Sequence, residues 1–152
     1  MLKKVWSILF VLIALSLVSC EKDADDHDHD HFEPTEWSIQ NNGVVYLEII
    51  NGEISSEFNS SFLLGVNQLS EDYDILFRNE DGKIVEPDDD EYSLSWEIDD
   101  PSIAEFRFES GKEGDFEFKL FGITNGTTNL TLKVMHGDHA DIISPKIPII
   151  VQ

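Results

Sequence analysis

The five histidines of this chain fall in two clusters. One is His27-Asp28-His29-Asp30-His31, and the other is His136-Gly137-Asp138-His139 with Asp141 close behind. Imidazole and carboxylate donors together suit zinc, copper or nickel. In the first cluster, alternating His and Asp on a flexible chain can wrap a cation. In the second, a Gly-Asp turn sets two histidines in a loop between strands, where both can face one ion. The expected ligands are therefore His136, Asp138, His139 and Asp141, together with His27, His29 and His31, and the expected cofactor is a divalent transition metal. A blander reading stands beside this one. The first cluster also reads as solubility filler, and the second as a polar turn whose side chains hydrogen-bond the loop.

Other chemistry has less behind it. Asp88-Asp89-Asp90-Glu91 and Asp99-Asp100 offer hard oxygens for calcium. Their spacing departs from the calcium-loop pattern, so they read as solvated charged loops. No serine sits in a nucleophile-elbow sequence, and no glycine-rich loop suits a phosphate. The carboxylates are many, but nothing singles out an acid–base pair. A metal-activated water would need a third ordered ligand or a pocket. The residues carry no positive sign of an enzyme.

The elements that must carry the second cluster are strands. Val44 to Ile50 is rich in β-branched residues and is followed by Asn51-Gly52, a strong tight-turn signal. Ile75 to Arg78 and Lys83 to Val85 flank Asp81-Gly82, another hairpin signal. Tyr92, Leu94, Trp96 and Ile98 alternate with polar residues, which gives one buried and one wet face. Phe116, Phe118 and Leu120, and then Leu130, Leu132 and Val134, repeat that period. Ile103 to Phe108 and Ile147 to Val151 complete seven or eight expected strands with turn signals between them. Such a pattern predicts an all-β sandwich or barrel, with Trp96 as a large core plug.

Trp96-Glu97-Ile98, Asp100-Pro101-Ser102-Ile103-Ala104 and Gly122 to Leu132 resemble the second half of a bacterial immunoglobulin-like domain of the group 2 kind. The resemblance covers about residues 90–135 and is looser over 37–89. It implies a single immunoglobulin-like β-sandwich over 37–152. It implies no shared catalytic activity, since members of that family act as spacers, adhesion modules and binding modules. In such a sandwich the loop between the last two strands lies at the end where the chain enters. His136 and His139 would then sit near the N-terminal segment, and both clusters could share one ion.

Outside the domain the sequence is of another kind. Residues 20–36 are acidic, histidine-bearing and poor in apolar side chains, which reads as a disordered tether. Before them, Lys3 and Lys4 precede an apolar run from Val5 to Val18. That run is shorter than the about 20 residues a membrane-spanning helix needs, and has the form of a signal-peptide core. It ends in Leu17-Val18-Ser19-Cys20, which resembles the lipobox of bacterial lipoproteins. The resemblance implies residues 1–19 as a signal peptide and lipidation of Cys20, the single cysteine. Glu21-Lys22-Asp23-Ala24-Asp25-Asp26 resembles the acidic export signal of Bacteroidetes-type lipoproteins, which implies display on the outer face of the outer membrane. The net charge of −21 repels phosphate backbones, so nucleic acid is excluded as an expected partner. The remaining expected partners are the membrane through Cys20, and an outer-membrane transporter or other surface protein. Adhesion, or interaction with a protein or glycan, is the rival to metal binding.

Overall fold

A computed structural model describes residues 32–87 and 91–152, and every described element is a strand. The expected lipidation site Cys20 and the ligands His27, His29 and His31 lie outside the described residues, as do Asp88, Asp89 and Asp90.

The described chain forms two sheets. The first contains β1 (Glu36–Asn41), β2 (Val44–Ile50), β3 (Glu53–Ile54), β5 (Tyr73–Arg78), β8 (Ala104–Arg107) and β9 (Glu117–Gly122), in the order β3-β2-β1-β5-β9-β8, with β6 (Ile84–Val85) also paired to β5. The second contains β4 (Phe62–Leu64), β10 (Gly126–His136), β11 (His139–Ile143) and β12 (Ile147–Val151), in the order β11-β10-β12-β4, with β7 (Tyr92–Ile98) on β10. All pairings are antiparallel except β4 with β12. The strands β7, β10 and β12 lie in one sheet of the sandwich, and β5, β9 and β8 in the other. This is the expected all-β sandwich. The β1–β3 meander extends the second of these triplets.

The reasons are local first. Asn51 and Gly52 both take positive φ (51° and 79°), as a primed two-residue turn requires, and they join β2 to β3. Period-two alternation then sorts the faces. On β10, Thr128, Leu130, Leu132, Val134 and His136 all point inward and all are buried. Facing them across the core are Trp37, Ile39, Ile49, Phe77, Phe118 and Leu120. Phe118 is stacked on Phe106 at 4.8 Å and meets Phe62 edge-on at 6.1 Å, so the two sheets share one aromatic centre.

The core tryptophan is not the expected one. Trp96 keeps its inward register opposite Leu132, but β10 is the one strand that ladders with β7, whose other flank is met at Leu94, where the N–H donates to the Gly114 carbonyl at 2.7 Å. Phe106 stacks on one side of the indole at 4.3 Å and Phe108 meets it edge-on, while 40% of the residue stays exposed. Trp37 is the buried indole, at 4% exposure, because β1 is flanked by both β2 and β5. Packing also starts earlier than expected. Phe32, in the segment that reads as tether, meets Phe77 edge-on at 5.1 Å and Tyr92 at 5.8 Å.

Candidate metal centre

His136 and His139 are not in a loose loop. The strand β10 runs on to His136, and β11 begins at His139, so the two histidines are directly paired across the end of a hairpin. Gly137, at φ 58°, gives the two-residue turn its left-handed first position. A register shift between Val134 and Met135 adds twist just below it. On the other side of β10, His136 pairs with Tyr92 of β7. Tyr92, His136 and His139 therefore lie side by side on three neighbouring strands. Asp141 follows His139 by two residues, which returns it to the same face.

The donors converge. One ligand atom each from His136, His139 and Asp141 can be chosen so that all three lie within 4.8 Å of one another. Asp141 is the centre of the group and its side chain is only 2% exposed. Its Oδ1 is 3.0 Å from His139 Nε2, and its Oδ2 is 3.8 Å from His136 Nδ1. Donors about 2.0–2.2 Å from a tetrahedral zinc lie about 3.3–3.6 Å apart, between those two separations. Small side-chain adjustments would let all three reach one ion.

The nitrogens turned away from Asp141 also meet carboxylates. His136 Nε2 is 3.5 Å from Glu91 Oε2, and His139 Nδ1 is 3.6 Å from Asp138 Oδ1. Metal-bound histidines commonly donate their other ring N–H to such a group, which fixes the tautomer and orients the ring. Asp138, expected as a ligand from its spacing, lies beside His139 on the turn. The turn points it into solvent and it is absent from the converging three. Tyr92 supports the site in two ways. Its ring stacks on the His136 imidazole at 4.4 Å and 13°, and its hydroxyl donates to Asp141 Oδ2 at 3.2 Å. The same hydroxyl accepts the backbone N–H of Phe32 at 3.2 Å. The chain thus enters the sandwich beside the hairpin.

Tyr92 carries no motif, and Glu91 reads from sequence only as the end of an acidic run. Neither is expected at the histidine site. The signal for Tyr92 lies in the alternation of β7, which puts it on the face of Leu94, but its register against His136 is set by tertiary pairing. The second calcium candidate is occupied by the protein itself. Asp99 accepts from Asn129 Nδ2 at 2.8 Å and Lys146 Nζ at 2.9 Å, and both contacts hold its carboxyl below the usual range. Asp100 accepts the Ser102 hydroxyl at 2.6 Å and its N–H at 3.0 Å, closing a local turn.

No protein-family model matches the chain, and no curated protein matches it. Among solved structures the chain is similar to pieces of the S-layer protein SbsC. Domains 4 and 5 match at 14% identity over 78% of this chain and 53% of that one, with a TM-score of 0.44. Domains 5–6 match at 16% identity over 62% and 40%, with a TM-score of 0.43, and domains 4–9 at 16% over 62% and 13%, with a TM-score of 0.44. The chain spans about half or less of the length of each of these structures.

Proposed function

We propose that this chain is a non-catalytic, surface-displayed binding module whose ligand is a divalent transition-metal ion. The ion is zinc, copper or nickel, held by His136, His139 and Asp141. The observation that carries the reading is the convergence of two imidazoles and a nearly buried carboxylate on one hairpin. Lipidation of Cys20 would fix the module to the outer membrane, and the acidic segment after it would send it to the outer face. A module so placed would capture or buffer metal beside a transporter.

A second reading is a protein or glycan interaction module with incidental histidines. It is favoured by a cavity of about 550 Å³ where Glu33, Thr35, Asn51, Asn79, Asp81 and Ile143 meet over Trp37. Calorimetric titration of the full chain in detergent with zinc, copper and nickel separates the two. The metal reading expects one tight site per chain, removed by His136→Ala/His139→Ala. The interaction reading expects no specific heat with any of the three ions.

A further inference from the structure

We infer that Tyr92 sets which ions the hairpin accepts: it braces one oxygen of Asp141 and the plane of His136, and so favours small nitrogen-seeking ions over large oxygen-seeking ones. This rests on the metal reading above. The groups concerned stand on three neighbouring strands of one sheet, β7, β10 and β11. Asp141 is the one carboxylate among the three converging donors. Its two oxygens meet different neighbours. Oδ1 lies 3.0 Å from His139 Nε2, whereas Oδ2 accepts the Tyr92 hydroxyl at 3.2 Å. An oxygen that already accepts a hydrogen bond is the poorer second donor to a metal. Oδ1 is therefore the natural ligand, and Oδ2 the braced atom.

Sheet pairing puts Tyr92 where it can act. It lies opposite His136, with its ring over the imidazole at 4.4 Å and 13°. The hydroxyl at the far end of that ring reaches across β10 to the carboxylate on β11. The hydroxyl is itself fixed, since its oxygen accepts the Phe32 N–H at 3.2 Å. The Asp141 side chain is 2% exposed, so Tyr92 stands where water would brace an open carboxylate. Zinc, copper and nickel are well served by two imidazoles and one carboxylate oxygen. Calcium-sized ions gather about six to eight oxygens and often take both from one carboxylate. A carboxylate with one oxygen braced serves the first class better than the second.

The test measures the affinity of the full chain in detergent for zinc, copper, nickel and cadmium, by chelator competition. Cadmium is the large probe, an ion of calcium's size that still accepts imidazole. Wild type is compared with Tyr92→Phe, Asp141→Asn and the double variant, and melting without metal checks that each is folded. Binding that remains in His136→Ala/His139→Ala is subtracted as lying elsewhere on the chain. Tyr92→Phe keeps a ring over His136 and removes only the hydroxyl. It should weaken zinc, copper and nickel about tenfold and cadmium less or not at all, so the preference for the small ions falls. On the Asp141→Asn background the same change should leave the preference where it is, because Tyr92 acts through that carboxylate. The preference is a ratio, so a loss of stability common to all four ions cancels from it. If Tyr92→Phe weakens cadmium as much as the others or more, or shifts the preference equally on both backgrounds, this inference is overturned and the hairpin site stands. A wild-type chain that binds none of the four, or binds them unchanged after His136→Ala/His139→Ala, overturns the metal reading itself.

Discussion

Replacing Asp141 by asparagine tests the site at its centre. The change preserves shape and leaves an oxygen to accept the Tyr92 hydroxyl, but it removes the one negative charge between the two histidines. A ligand that binds only the folded state stabilises it by about 2.7 kcal/mol when its free concentration is 100 times Kd. For a domain of this size about 1 kcal/mol moves the melting temperature by about 4 °C, so the wild-type chain should gain about 10 °C. If the asparagine weakens binding by about 10- to 100-fold, the same metal concentration gives about 1.4 to 0.4 kcal/mol, or about 6 to 2 °C. Without metal the variant should melt near the wild type, because asparagine keeps the side chain's shape and an oxygen to accept the Tyr92 hydroxyl. The assay is thermal unfolding followed by circular dichroism, with zinc, nickel or copper and again after chelator. Protons compete with metal for the imidazoles, so the wild-type gain should shrink as the pH falls. A wild-type chain that gains nothing from any of the three ions refutes the metal reading. Equal gains in both forms remove Asp141 from the ligand set.

Four further outcomes are expected. In chains that keep one sandwich tryptophan at a time, with Trp6 replaced, acrylamide should quench Trp96 emission strongly and Trp37 emission weakly; equal quenching would contradict the strand assignments. In urea unfolding, Trp37→Ala should cost about 3–5 kcal/mol and Trp96→Ala about 2 kcal/mol. The partly buried Asp74 has its carboxyl raised by burial and by the carboxylates of Glu117 and Asp72, with Lys112 opposing. Its ionised form is thus disfavoured in the folded state, and stability present at low pH is lost as the pH rises through that raised value. After solvent screening, Asp74→Asn should therefore stabilise the neutral-pH protein by about 0.5 kcal/mol, an advantage that disappears in acid; destabilisation at neutral pH would reverse the argument. Cys20→Ala should release the protein from the membrane fraction or leave it unprocessed, and normal processing with retention in membranes would end the lipoprotein reading.

Much of the sandwich is legible because its central strands alternate cleanly. Phe118 and Leu120, Leu130 to Val134, and Ile147 to Val151 reveal their buried faces without any knowledge of neighbours. Asn51-Gly52 marks its own turn. By contrast, β4 is three residues long and owes its existence to parallel pairing with β12, a partner far along the chain. Period two gives Trp96 its face but says nothing of whether a neighbouring strand covers it. The hairpin cluster is visible as spacing, yet spacing alone groups Asp138 with Asp141. The folded hairpin separates them, the turn pointing Asp138 out and β11 carrying Asp141 in. Glu91 and Tyr92 reach the site through sheet pairing, so no local pattern could announce them.

The position of His136 also decides how metal and folding are related. It is the last inward residue of a row whose earlier members, Leu130, Leu132 and Val134, are completely buried. That core is built from apolar side chains of both sheets, and the hairpin site stands at its end and not at its centre. Small zinc-dependent folds lack such a core and unfold when the metal is removed. Here the core should hold without it, so a metal bound at the hairpin would add stability to a fold that already exists. The full chain in chelator should therefore melt in a single cooperative transition, with strand content unchanged by added zinc. Ser144 gives a specific probe. Its backbone N–H donates to the Leu132 carbonyl, and its hydroxyl oxygen accepts the Leu132 N–H, each at 2.9 Å, so the pairing of β10 continues beyond β11. Amide exchange at Leu132 should be slow with or without zinc, whereas exchange at the hairpin end, about His136 and His139, should slow on metal binding. Fast exchange at Leu132 in chelator would show that the ion organises the sandwich itself, and the separation of core from site argued here would fail.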